Sequence, residues 1–184
     1  SEPAGQVSET IPEAIQRFCT IPEAYAPDDV HEPLFIEAMR DVVVLHIARS
    51  PWYRQFAQRH QIRPERLVSL ADVLALPPVH ANFFKFHEIR SIPLSQVAAH
   101  MTSSGTTGQK SQMFFDAFSI GHAREMVDHA MRARGLESPA PAHYLVNAYE
   151  PFEGIKVGTS NTNQYLMRYA PVAEQFWTLR HVGG

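Results

Sequence analysis

The sequence predicts an α/β fold, with an N-terminal helical segment followed by a mixed β-sheet with flanking helices. Two patterns carry this. Between Pro33 and Arg49 the apolar residues Phe35, Met39, Val43 and Ile47 recur at a helical period, with Glu37, Arg40 and Asp41 on other faces. Near residue 95 the chain changes to short β-branched and aromatic runs separated by Ser, Thr and Gly clusters. Bulk composition agrees: 184 residues, 45% hydrophobic and 19% charged, suffice for one compact domain or fragment with a core. The expected division is a loose arm over residues 1–30, a helical subregion over 31–95 and a β/α subregion over 96–184.

The elements follow in order. Pro12 starts a short helix to Phe18, because proline is tolerated in a first helical turn. The helix from Pro33 to Arg49 comes next. Ser50-Pro51 then supplies an N-cap and a first-turn proline for a helix to His60 that carries Trp52, Tyr53 and Phe56. Ser69 and Asp72 have the spacing of a capping box for a helix that stops at Pro77-Pro78. Val97–Thr102 and Ser111–Asp116 read as strands around the turn-forming run Ser103–Gly108. Ser119 is expected to cap a helix whose stripe is Ile120, Ala123, Val127, Ala130 and Met131, with Arg132 and Arg134 at its negative end and Gly135 just beyond. His143–Tyr149 has the composition of a buried strand, Glu174–Arg180 is a weaker strand, and Gln164–Tyr169 suggests a helix capped from Thr159, Ser160 or Asn161.

Several function classes fall away. Sixteen basic residues (16) against 19 acidic ones give a net charge of −3, and the basic residues are scattered, so nucleic acid is not an expected partner. The longest uncharged apolar run, Val42-Val43-Val44-Leu45, is far short of a membrane span. One cysteine, Cys19, makes no internal disulfide framework, and the expected compartment is the reducing cytoplasm. His122 and His129 share a helix face without a carboxylate at zinc-like spacing, so no metal site is expected there. No Gly-x-Ser-x-Gly elbow occurs. Phe83, Phe84 and Phe86 are read as core packing, with the lining of an acyl channel as the alternative.

The chemistry lies in Met101-Thr102-Ser103-Ser104-Gly105-Thr106-Thr107-Gly108-Gln109-Lys110-Ser111. Gly105 and Gly108 allow a close backbone approach, so consecutive N–H groups can converge on an anion. The hydroxyls of Ser103, Ser104, Thr106 and Thr107 can donate to phosphate oxygens or order Mg²⁺, and Lys110 adds a mobile positive charge. The spacing is not that of a Walker A loop, and a strand rather than a helix follows. A polar hairpin turn is the competing reading of the same residues. Gly154–Asn163 is a second polar, glycine-containing stretch, read either as helix capping or as part of a substrate pocket.

Thr-Ser-Ser-Gly-Thr-Thr-Gly resembles the phosphate-binding loop of the adenylate-forming superfamily, which also joins two strands. Ser50-Pro51-Trp52-Tyr53-Arg54 and Ser69-Leu70-Ala71-Asp72-Val73-Leu74-Ala75-Leu76-Pro77 resemble the branch that holds phenylacetate-CoA ligases and LuxE-type acyl-protein synthetases. Phe84-Lys85, Gly108-Gln109-Lys110-Ser111-Gln112 and Phe114-Phe115-Asp116 are most similar to the LuxE type. The resemblance implies part of the large domain of such enzymes, with ATP and Mg²⁺ as cofactors and Ser103, Ser104, Gly105, Thr106, Thr107, Gly108 and Lys110 binding ATP phosphates. It further implies activation of a carboxylic acid, usually a fatty acid, to acyl-AMP, followed by transfer to a protein thiol and onward to a reductase or acyltransferase partner. Gly-Gln-Lys departs from the superfamily's usual proline before the lysine. The later adenine, ribose and lysine motifs have no match, and the catalytic residues and acceptor cysteine are expected C-terminal to this chain. The chain opens without Met and stops on Val182-Gly183-Gly184, and the expectation is the N-terminal part of a longer enzyme, inactive alone. The alternatives are an aryl- or acyl-CoA ligase of the phenylacetate-CoA ligase type and a non-catalytic binding domain that retains the fold.

Overall fold

The computed structural model describes residues 10–22, 28–103, 110–150 and 163–180. The chain forms two compact units, Ser1–Phe83 with His87–Val97, and Phe84–Phe86 with Ala98–Gly184. Among the described residues, no helix is long and apolar enough to cross a membrane.

The first unit is built around one long helix. Helix α1 (Glu13–Cys19) starts behind Pro12, and Cys19 is its last residue. It buries Ala14 and Ile15 and packs against α2 (Asp28–Arg49), where Phe18 and Phe35 bring their rings to 5.4 Å. Helix α2 begins before Pro33, the residue at which the sequence suggested a start. Proline inside a helix forfeits one backbone bond, and packing along the rest of α2 sustains the helix through it.

The four-residue stripe is only part of what α2 buries. Val43 is inside as expected, but Ile36 and Ala38 are buried as well, while Phe35, Met39 and Ile47 are half-buried. Ile36 and Ala38 are two residues apart and so point to well-separated faces of a helix. The helix is apolar on more than one side because α1, α3, the turn at Pro64–Arg66 and α4 all pack on it.

Local signals set the next boundaries. Helix α3 (Pro51–Arg59) has Pro51 in its first turn, and the Ser50 hydroxyl accepts from the Tyr53 N–H at 3.3 Å. Helix α4 (Leu70–Leu74) carries the expected capping box, with the Asp72 N–H donating to Ser69 Oγ at 3.2 Å and the Ser69 N–H to the Asp72 carboxylate at 2.8 Å.

Helix α5 (Phe83–Phe86) corrects the core reading of its aromatics. Phe83 and Phe86 are exposed and Phe84 is half-buried. Phe83 and Phe86, three residues apart, share one side of this single turn and both are open there, while Phe84 is turned about 100° from Phe83. Phe83 instead meets Trp52 edge-on at 5.6 Å within the first unit.

The second unit holds the strands, in two ladders. Strands β1 (Ala99–Thr102) and β2 (Gln112–Phe115) pair antiparallel, in the register Ala99 to Phe115 and Thr102 to Gln112. Strands β3 (Ala142–Tyr149) and β4 (Val172–Leu179) pair parallel, with Leu145 opposite Phe176 and Val146 opposite Trp177. Along β3 the burial alternates, Val146 being inside and Leu145 outside.

Helix α6 (Ala117–Ala133) corrects the expected cap. Asp116, not Ser119, is the N-cap, and its carboxylate accepts from the Ser119 N–H at 2.7 Å. Both residue types cap well, but a carboxylate also complements the positive end of the helix dipole. Because β2 ends at Phe115, Asp116 is already extended and in place. The far end follows expectation. Gly135 takes φ +63°, its N–H reaches the Arg132 carbonyl at 2.9 Å, and the Leu136 N–H reaches Met131 at 2.9 Å, which together form a Schellman motif. Residues 163–166 are helical, shorter than the expected 164–169.

Ser50 is only 1% exposed, so its loss removes a cap that water cannot replace. Ser50→Ala is expected to cost about 1 kcal/mol, typical of a lost N-cap. In urea unfolding it should lower the midpoint and leave the slope unchanged.

Candidate functional site

The loop read as a phosphate cradle springs from the β1–β2 hairpin. Beyond the last ladder pair, Thr102 to Gln112, two more bonds close the neck. The Ser103 N–H donates to the Ser111 carbonyl at 3.1 Å, and the Ser111 N–H donates to Ser103 Oγ at 2.9 Å. Ser103 therefore helps to close the neck, while its hydroxyl hydrogen can still be donated outward. Lys110 is exposed on the returning limb. Ser104, Gly105, Thr106, Thr107 and Gly108 lie outside the described residues, as does nearly all of Gly154–Asn163.

The neck's chemistry suits a polyphosphate. From Val97 to Phe115 the sequence holds no carboxylate, and its hydroxyls and Lys110 are groups that can donate to an anion. A Mg²⁺ ion here would take its oxygen ligands from hydroxyls, water and the phosphates themselves.

A second constellation in the same unit is one that sequence reasoning missed. Asp128, on α6, accepts the Tyr165 hydroxyl on Oδ1 at 2.7 Å, and the Tyr169 hydroxyl reaches the same oxygen. Arg168 approaches Oδ2 at 3.9 Å and lies 4.7 Å over the Tyr165 ring. Burial pushes the Asp128 carboxyl up. The Tyr169 and Tyr165 hydroxyls, with Arg168 and Arg132, outweigh that and hold it below the ordinary carboxylate range. Burial, followed by the bond to Asp128, raises the phenols of both Tyr165 and Tyr169. A small cavity of about 370 Å³ beside them is lined by Arg132, Glu137 and Ser138 among others. The available signal was a tyrosine pair four residues apart bracketing Arg168, facing an acidic residue on a helix that also carries Arg132.

In the first unit, a cavity of about 690 Å³ is lined by Arg49, Trp52, Glu88, Arg90, Ser91 and neighbours. Arg90 is already engaged, its Nε 2.5 Å from Glu88 and its Nη1 donating to the Ile92 carbonyl at 2.8 Å. Behind Ser91, His46 Nδ1 lies 2.6 Å from the Ser91 hydroxyl, and burial, then the nearby Arg49 charge, lowers its pKa. On α6, His122 pairs with Glu125 at 2.6 Å and meets the Phe118 ring edge-on at 4.4 Å. Among the described residues, no three His, Cys, Asp or Glu side chains gather as a metal-binding group.

The profile of the LuxE acyl-protein synthetases matches residues 16–149. This chain belongs to the LuxE acyl-protein synthetase family. The match takes in the capping box, the β1–β2 hairpin with its loop, and α6. Among solved structures, the chain is similar to a 2-hydroxyisobutyryl-CoA ligase in the postadenylation state in complex with 2-HIB-AMP. The TM-score is 0.55 at 16% identity, over 82% of this chain and 32% of the ligase. The likeness establishes a shared α/β fold, and the chain spans about a third of that ligase's length, 32%. Comparison with curated proteins finds no match.

The lowered pKa of Asp128 has a definite sign. A carboxyl whose folded pKa lies below its unfolded value of about 3.9 stabilises the fold above that value. The contribution is lost as pH falls through the folded pKa. The melting-temperature gap between wild type and Asp128→Asn is therefore expected to be constant above about pH 5 and to narrow below about pH 4. Thermal unfolding from pH 3 to 7 measures it.

Proposed function

We propose that this chain is the N-terminal part of an ATP-dependent acyl-protein synthetase, which activates a fatty acid as acyl-AMP and passes the acyl group to a protein thiol. One observation carries the reading: in a LuxE-family chain, a Ser/Thr/Gly loop free of carboxylates is closed at its neck by the paired bonds of Ser103 and Ser111. Support for adenylate chemistry comes from the similarity to a ligase whose structure holds an acyl adenylate.

On this reading the β/α subregion, 96–184, holds the triphosphate. Ser103, Ser104, Gly105, Thr106, Thr107, Gly108 and Lys110 bind the β- and γ-phosphates, with Mg²⁺ sharing their charge. The acid's carboxylate oxygen attacks the α-phosphorus, and the bond from that phosphorus to the bridging oxygen breaks. Pyrophosphate leaves with the electron pair. Hydroxyl and backbone donors aimed at the departing phosphates stabilise the charge that builds there. The mixed anhydride then acylates a thiolate with AMP as leaving group. The thiol must stay reduced, which suits a cytoplasmic protein whose acyl group moves on to a reductase or acyltransferase. The adenylation lysine and the acceptor cysteine are assigned to sequence beyond residue 184. A second reading, transfer to coenzyme A, is favoured by the CoA-ligase neighbour.

The test is carboxylate-dependent ATP–pyrophosphate exchange, with fatty and aryl acids, on this chain and on the longest product of its gene. Exchange is expected from the longer product alone. Labelled acyl groups recovered on protein favour the first reading and on coenzyme A the second. Absence of exchange from both folded proteins overturns adenylation in favour of a binding domain. Gly105→Val, which fills the backbone approach to phosphate, is expected to lower ATP affinity by at least about 10-fold with the fold retained. Unchanged affinity by calorimetry rejects the cradle.

A further inference from the structure

We infer that Asp128 is a positioning residue for the phosphate loop: by gripping Tyr165 and Tyr169 it fixes α6, and through α6 the strand that returns from the loop. The inference rests on the phosphate-loop reading above. Its physical basis lies wholly within the second unit.

The grip is directional. Two phenol hydroxyls converge on one oxygen of a carboxylate whose side chain is 14% exposed. Arg168 covers the other oxygen, and the Tyr165 hydroxyl lies also 3.1 Å from the Arg124 carbonyl, one helical turn earlier. Apolar packing alone leaves a helix free to slide or roll slightly. Charge-assisted hydrogen bonds at a fixed angle do not.

Both sides of the grip are anchored. The Ala170 N–H donates to the Tyr144 hydroxyl at 3.0 Å, and that hydroxyl donates to the Ala170 carbonyl at 3.1 Å, which ties the tyrosine segment to β3. The Ser138 N–H donates to the Tyr169 carbonyl at 2.9 Å, and the Ala142 N–H to Pro171 at 2.8 Å. On the other side, only Asp116 separates β2 from α6, and it is the helix cap. A shift of α6 is therefore a shift of β2. At the far end of β2 stand Ser111, which closes the neck, and Lys110. Phosphate donors displaced by a fraction of an ångström lose much of their effect, because proximity and direction supply it.

The test uses the longest product of the gene, at a temperature where each variant is folded by circular dichroism. Asp128→Ala is expected to raise the KM for ATP in pyrophosphate exchange by at least about 5-fold and, because the same donors meet the departing phosphates, to lower kcat as well. Amide hydrogen exchange is expected to quicken in Gln112–Phe115 and to stay unchanged in α2 and α3. Asp128→Asn keeps an oxygen acceptor for the phenols and is expected to restore most of both effects. Should Asp128→Ala not fold, Tyr165→Phe removes one of the bonds and takes its place. A folded variant with wild-type KM and wild-type protection of β2 overturns the inference, whatever its melting temperature. If the wild type itself shows no exchange, adenylation fails instead. The β2 protection then decides the coupling on its own: quickened exchange supports it, and unchanged exchange rejects it.

Discussion

The second unit depends on a single carboxylate oxygen. Asp128 Oδ1 accepts both Tyr165 and Tyr169, and Tyr169 is among the most buried residues of the chain. A half-buried charge is costly unless its acceptor sites are filled. The two hydroxyls fill one oxygen and Arg168 lies 3.9 Å from the other. That arrangement ties α6, which grows out of the loop's return strand, to the turn that leads into β4. The hairpin's strands are only four residues each, so its neck relies on the Ser103 and Ser111 bonds and on support from the elements it joins.

The first unit solves a different problem. Helix α2 has apolar residues on more than one side, and its partners approach from several directions: α1 through the Phe18–Phe35 contact, and α3, α4 and the turn at Pro64–Arg66 elsewhere. Ser50 sits at the corner where α2 gives way to α3. It is buried, and its hydroxyl accepts from a first-turn N–H of α3, so both polar groups are paired at the junction.

What could be read from the sequence was local. The Ser50 and Ser69 caps, the Gly135 ending and the hairpin around the Ser/Thr/Gly loop each depend on residues a few positions apart, whose preferences act before any tertiary contact forms. Where two local signals competed, sequence alone picked wrongly. Ser119 was a sound cap, but the end of β2 had already made Asp116 extended and available. Pro33 was a sound helix start, but packing carried α2 through it. The aromatics of α5 are apolar enough for a core, and no packing surface meets all three.

The candidate site divides in the same way. Sequence alone determined the fold class and the family, and it supplies the phosphate-loop reading proposed above, because a run of glycines and hydroxyls between two strands is a contiguous signal whose chemistry follows from the residue types. Only the tertiary structure decided that β3 and β4 run parallel and that Asp128 meets Tyr165 and Tyr169. Those partners are some forty positions apart (41 between Asp128 and Tyr169), and a pairing across such a gap is set by which surfaces the whole fold brings together.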